Sequence, residues 1–139
     1  MSINTIADVE FGMELEPFTP NTALTNTKAF ADAVGYSGNG RFEDHEKAKA
    51  QGLPSALVPG IMGMAFLTSM IHRWSPRAQI EKVDTVFRAP MLADTELTIS
   101  AVVTDVDEEE GLVELDLSIK NAADETRVFG TANVRLPTA

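Results

Sequence analysis

The stretch that decides the fold is Val58-Pro59-Gly60-Ile61-Met62-Gly63-Met64-Ala65-Phe66-Leu67-Thr68-Ser69-Met70-Ile71-His72-Arg73-Trp74. Ile61, Met62, Met64, Ala65, Phe66, Leu67, Met70 and Ile71 fall on every face of a helical wheel, so no polar stripe is left for solvent. Such a pattern predicts a wholly buried helix. Pro59 suits its first turn, where a missing N–H costs nothing, and Ser75-Pro76 ends it. In a chain of 139 residues, a helix of this kind must be wrapped by most of what remains.

Downstream of Pro76 the apolar period changes from helical to two. Val83, Thr85, Phe87 and Ala89 alternate with Asp84 and Arg88; Leu97, Ile99, Ala101 and Val103 alternate with Thr98 and Ser100. Val113, Leu115, Leu117 and Ile119 alternate with Glu114, Asp116 and Ser118, and Arg127 to Leu136 turns Val128, Ala132, Val134 and Leu136 inward. Gly130 and Ala132 are small enough to suggest close contact with the helix or a partner. Asp105 to Gly111 and Asn121 to Glu125 are short polar connections, as hairpins require. Four long strands in meander order are therefore predicted. The acidic run Asp107-Glu108-Glu109-Glu110 reads as a solvated hairpin tip.

Upstream, Met1 to Pro20 mixes apolar and turn residues, as in an arm or edge strand laid on the domain. Thr25 or Asn26 can cap a helix over Thr27 to Val34, with Ala29, Phe30, Ala33 and Val34 on one apolar face and Gly35 ending it. Tyr36-Ser37-Gly38-Asn39-Gly40-Arg41-Phe42-Glu43 breaks all periodicity and reads as a loop. Asp44 is placed to cap a short helix from His45 to Gln51, stopped by Gly52.

Length fits a single domain, residues 1–139, with 1–20 as the arm. The absence of cysteine excludes disulfides, zinc thiolates and a cysteine nucleophile. With 11 basic against 21 acidic residues, the net charge of −10 argues against a broad nucleic-acid surface. No apolar run reaches membrane-spanning length and Met1 to Glu10 lacks a signal-peptide pattern, so a cytoplasmic protein without membrane contact is expected. No cofactor or metal is implied.

Several local features in order resemble one family. Phe30-Ala31 followed by Gly35, then Asp44 with Ala48 and Gly52-Leu53, then Pro59-Gly60-Ile61-Met62, then Phe87-Arg88-Ala89-Pro90 are similar to the pattern of the MaoC-like group of the hot-dog fold. This group comprises the (R)-specific enoyl-CoA hydratases and 3-hydroxyacyl dehydratases. The resemblance covers about Thr25 to Leu136. It implies an α+β hot-dog domain in which a curved antiparallel sheet wraps a long central helix. It also implies an acyl thioester substrate carried by CoA or an acyl carrier protein, and a homodimer or a heterodimer with another hot-dog subunit.

The family's chemistry lies in a loop written Gly-Asp-x-Asn-Pro-x-His, whose acid and imidazole manage one water and one proton. Counted from the preceding helix, those two positions fall on Tyr36 and Arg41; counted back from Asp44 and Gly52, they fall on Ser37 and Phe42. Neither choice restores the pair, and Asn39 matches the family only in the second. The candidates for a modified site are therefore Tyr36, Ser37, Asn39, Arg41, Asp44 and His45. Asp44 has an alternative reading as an N-cap, and His45 as an exposed first-turn residue. Arg41 can hold an oxyanion but cannot act as a base at physiological pH, and His72 suits the dipole at the end of its helix.

Gly60 opens the central helix where the resemblance implies an amide that binds the thioester oxygen, or it serves close packing alone. Three functions follow. One is a hydratase or dehydratase, one is an inactive subunit that binds acyl thioesters or pairs with an active paralogue, and one is a thioesterase using Glu43 or Asp44. A CoA-binding form would need Lys47, Lys49, Arg73, Arg77 or Arg88 to gather near the acyl tunnel.

Overall fold

The computed structural model describes residues 3–139. A 3-10 turn at Ile6–Asp8 and three α-helices precede four strands: α1 Leu24–Val34, α2 His45–Ala50, α3 Gly60–Trp74, then β1 Gln79–Phe87, β2 Leu97–Asp107, β3 Leu112–Asn121 and β4 Thr126–Arg135. The strands form one antiparallel sheet in the order β1-β4-β3-β2. Only β2, β3 and β4 form a meander. β1 lies at the far edge against β4, where Val83 faces Ala132 and Phe87 faces Val128. This corrects the expected strand order, and the cause is the connection 88–96. That segment carries Pro90, bridges Leu92 to Leu57 and ties Val58 N–H to Met91 O, so it crosses to the opposite edge instead of turning back as a hairpin.

In β2, β3 and β4 the inward residues are those the period of two selected, whereas none of Val83, Thr85, Phe87 and Ala89 is buried. Leu97, Ile99, Val103, Val113, Leu115, Ile119, Val128 and Val134 are all buried and form one core with Leu67, Met70 and Ile71 of α3. Burying such side chains is worth roughly 1.5–3 kcal/mol each, so this contact dominates the stability of the domain. The close contact that the size of Gly130 suggested, with the helix or a partner, is found against a neighbouring strand. A Cβ at that position would lie 1.9 Å from Asp84 O of β1, so the glycine is required by the neighbouring strand.

The helix itself departs from expectation. It buries Met62, Gly63, Leu67, Met70, Ile71 and Trp74 but leaves Ile61 40% exposed, with Ala65 and His72 also exposed and Met64 and Thr68 half-buried on the same side. The spacing of 61, 64, 65, 68 and 72 is one helical face. The apolar wheel therefore covers two faces, one buried against the sheet of this chain and one exposed. The bare strip runs beside the β1 edge, because Gly60 abuts Phe87 and His72 Nε2 donates to Ala78 O at 3.2 Å. Val86 and Phe87 on that edge are 51% and 49% exposed.

At the opposite edge the chain covers itself. Gly12 and Leu15 N–H donate to Val103 and Ala101 O, and Phe18 exchanges bonds with Ile99. Residues 12–18 thereby blunt the β2 edge, as sheets must to avoid stray pairing. α1 starts at Leu24, three residues before the expected start. Neither Thr25 nor Asn26 caps it; Asp94 Oδ1 accepts Leu24 N–H at 2.9 Å from across the fold. Its buried residues are Thr27 and Ala31, while Ala29, Ala33 and Val34 are exposed. Gly35 ends it with φ +80°, the conformation that favours glycine.

Candidate active site

The loop between α1 and α2 holds most of the candidate residues, and its hydrogen bonds show what each is already doing. Asp44 caps α2: Oδ1 accepts Lys47 N–H at 3.0 Å. That bond is the main cause holding its carboxyl below the usual carboxylate range. Glu43 Oε1 accepts Gly38 N–H at 2.8 Å and Gly40 N–H at 3.0 Å. Asn39 Oδ1 accepts Arg41 N–H at 2.9 Å, closing an Asx turn. The loop is further pinned by Thr27, whose hydroxyl donates to Phe42 O at 2.9 Å, and by Tyr36 and Phe42, whose ring centroids are 6.0 Å apart.

His45 is equally committed. Its Nδ1 accepts Ala56 N–H at 3.1 Å, so Nε2 carries the proton and donates to Asp94 Oδ2 at 2.7 Å. Asp94, with φ +61°, thus joins α2 to the first turn of α1, and its carboxyl is held below the usual range chiefly by the His45 bond and then by Leu24 N–H. Asp44 and His45 therefore form no acid–imidazole pair with each other. Among the loop candidates, Tyr36, Ser37 and Arg41 have side chains with no hydrogen bond or ion pair among the described residues, and all three are exposed.

The start of α3 has different chemistry. Pro59 O accepts Met62 N–H at 3.0 Å and Gly63 N–H at 3.2 Å, which leaves the Gly60 and Ile61 N–H groups without an acceptor among the described residues. No acidic residue lies in this first turn. Two free amides at the positive end of a helix of 15 residues suit a partial negative charge. A Cβ on Gly60 would sit 3.2 Å from Phe87 Cε1, so the absence of a side chain also permits the Phe87 ring to lie close. Ile61 N–H was not singled out from sequence, nor were Asp94 and Ala56 as the anchors of His45. The tie from His45 spans 49 residues, and no local pattern reports it.

The cavity beside the loop is small. Lys28, Gly38, Gly40, Glu43, Asp44 and Lys47 enclose about 160 Å³, below the roughly 300–1,000 Å³ of a typical ligand pocket. The larger grooves lie elsewhere: about 610 Å³ on the outer face of the sheet, beside Arg88, Asp116 and Phe129, and about 480 Å³ between the N-terminal segment and Trp74. Of the cations a CoA-binding form would need, Lys47 lines the small loop cavity and three others lie apart from it. Lys49 pairs with Glu46, Arg73 lies over the Phe18 ring at 4.4 Å, and Arg88 faces the outer groove.

No protein-family model matches the sequence. No curated protein matches it either. Solved structures do. The R-hydratase PhaJ1 from Pseudomonas aeruginosa superposes with a TM-score of 0.87 at 19% identity, over 96% of this chain and 85% of that one. The ChsH1-ChsH2 complex from Mycobacterium tuberculosis gives 0.81 at 22%, over 91% and 98%. The HadBC complex from the same organism, a 3R-hydroxyacyl-ACP dehydratase, gives 0.66 at 19%, over 89% and 96%. The chain thus has the hot-dog fold, α+β, with α3 as the central helix.

Proposed function

We propose that this chain is a MaoC-like hot-dog subunit that binds acyl thioesters of CoA or an acyl carrier protein without hydrating them on its own, and that it works paired with a second hot-dog subunit. The observation that carries the proposal is a contrast between the start of α3 and the loop. The helix start offers two unpaired amides for a thioester oxygen, whereas Asp44, His45, Asn39 and Glu43 are all engaged in holding their own loop. Hydration needs a group to activate water and a group to deliver a proton, and in the loop Glu43, Asp44 and His45 each already hold a hydrogen bond that fixes the fold.

A second subunit accounts for what one chain leaves open. Ile61, Met64 and Ala65 of α3 and the exposed Val86 and Phe87 of β1 present apolar side chains on the side of Gly60. A partner seated there would bring its own groups beside the free amides. The complexes named ChsH1-ChsH2 and HadBC, both similar in fold, show that such domains assemble in unlike pairs.

The alternative is a hydratase with a rebuilt site. It is favoured by one observation, that the Tyr36 hydroxyl and Arg41 guanidinium are unengaged and exposed.

The amides can be tested separately from packing. Pro59 has φ −56° and ψ 140°, which a following proline tolerates, so Gly60→Pro deletes one N–H while Gly60→Ala keeps it. Both add a Cβ against Phe87, and proline adds its ring methylenes where the N–H was. With butyryl-CoA titrated calorimetrically, Gly60→Pro is expected to bind about tenfold more weakly than Gly60→Ala, the worth of one hydrogen bond of about 1.4 kcal/mol. Equal affinity of the two variants would remove the Gly60 amide from the site.

A further inference from the structure

The loop contains the dipeptide Asn39-Gly40, and of the six asparagines in the chain Asn39 alone precedes glycine. Its surroundings are chemically specific. The bond from Arg41 N–H to Asn39 Oδ1, 2.9 Å, folds the carboxamide back over the peptide that joins Asn39 to Gly40. That peptide's own N–H points at the Glu43 carboxylate, 3.0 Å away. Gly38 N–H fixes the same carboxylate oxygen at 2.8 Å. Gly40 has φ +83°, and a Cβ there would meet Lys47 Cβ at 2.5 Å, so the residue after Asn39 is held to glycine and to this conformation. Asn39 itself is exposed to water.

A nucleophilic nitrogen, a base on its proton, and an electrophilic carbon whose oxygen already accepts an N–H are thus assembled within five residues. These are the parts of an activated nucleophile and an oxyanion-stabilising donor.

We propose that Asn39 is a site of self-catalysed deamidation in the folded protein, with Glu43 as the general base. Glu43 draws the Gly40 amide proton as that nitrogen attacks Asn39 Cγ. The new N–Cγ bond forms, and the negative charge that develops on Oδ1 is met by Arg41 N–H. The Cγ–Nδ2 bond then breaks, and the proton held by Glu43 leaves on the departing nitrogen as ammonia. The product is a five-membered succinimide. Water adds to one of its two carbonyls and opens the ring, giving either aspartate or the β-linked isoaspartate at position 39. No electrons are exchanged with any other reactant. Aspartate preserves the Asx turn and adds one negative charge. Isoaspartate lengthens the backbone by one carbon and releases the bonds of Gly38 and Gly40 to Glu43. Either product introduces a carboxylate into a loop whose two native ones are engaged.

The test is peptide mapping by mass spectrometry, with an isoaspartate-specific readout, on the full-length protein held at neutral pH. Wild type, Glu43→Gln and wild type in guanidinium at the same pH are compared. Glutamine can still accept both loop N–H bonds, so the variant removes the base and keeps the turn. Asn39 is expected to convert ahead of the other asparagines, and Glu43→Gln to slow its conversion about tenfold or more, the lower range for losing a general base. The unfolded chain, which lacks the arrangement, is expected to convert more slowly than the native one. Conversion at the wild-type rate in Glu43→Gln would overturn the proposal. If Glu43→Gln melts earlier than wild type, the denatured sample decides, and conversion there as fast as in the native protein overturns it.

Discussion

Replacing Ile61 is the sharpest way to separate the two faces of α3. Ile61 is 40% exposed in the single chain and lies in the first helical turn, on the bare strip. Fully burying an isoleucine is worth about 1.5–3 kcal/mol, so covering the remaining 40% is worth about 1 kcal/mol per subunit. In a two-fold pair the residue counts twice. Ile61→Ala is therefore expected to weaken a symmetric assembly by about 2 kcal/mol, or about 30-fold in dissociation constant.

Ile61→Glu tests the same surface more severely. In the isolated subunit an acid in the first turn is favoured by the helix dipole by about 0.3–1 kcal/mol, so the fold should hold. In the assembly each carboxylate must be buried without a partner, at a cost of several kcal/mol. Loss of association by about a thousandfold or more is expected, with the melting midpoint of the dissociated subunit little changed. Sedimentation across a concentration series reads the first quantity and thermal melting the second. Assembly of Ile61→Glu at wild-type affinity would show that this strip faces solvent; a wild type that stays monomeric at high concentration would refute self-pairing through it and leave only an unlike partner.

Three further outcomes test the supports of the site. Gly130→Ala is expected to cost about 3 kcal/mol or more in urea unfolding, because its Cβ would collide with Asp84 O and force β1 off β4; a cost under about 1 kcal/mol would contradict the close approach. His45→Ala is expected to destabilise by about 1–3 kcal/mol, since it strands the N–H of the fully buried Ala56, and nitrogen NMR of the wild type should find the proton on Nε2. Asp94 is depressed in the folded state, so its contribution is present above the unfolded carboxylate pKa and is lost as pH falls through the lower folded value. Asp94→Asn should accordingly flatten the acid limb of the stability curve below about pH 4 and also lower stability at neutral pH; an unchanged acid limb would dissolve the clasp.

Much of this fold was legible because burial imposes a period. Val113 to Ile119 declare a strand half in the core, and the run from Gly60 to Trp74 declares a helix with no polar face. What the period does not encode is the neighbour. The alternation of Val83, Thr85 and Phe87 is the same whether β1 pairs with β2 or β4, and the choice was made by the path of residues 88–96. Likewise the apolar wheel of α3 does not say whether Ile61 is covered by its own chain or by another.

The candidate site divides along similar lines. Asp44 as an N-cap followed from local chemistry, because the acceptor and Lys47 N–H are three residues apart. The commitment of His45 did not, because Asp94 and Ala56 come from distant segments. Seen from sequence alone, His45 was an imidazole near a loop that needed one; its two ring nitrogens turn out to be occupied in joining α2 to the β1–β2 connection and to the segment that leads into α3.

Hydration of crotonyl-CoA and of a longer enoyl-CoA by the purified protein tests the central claim most directly. The account expects no turnover by this chain alone, whether monomer or homodimer. Turnover that falls in Tyr36→Phe would contradict it, and would place the proton chemistry on a residue that the loop leaves free.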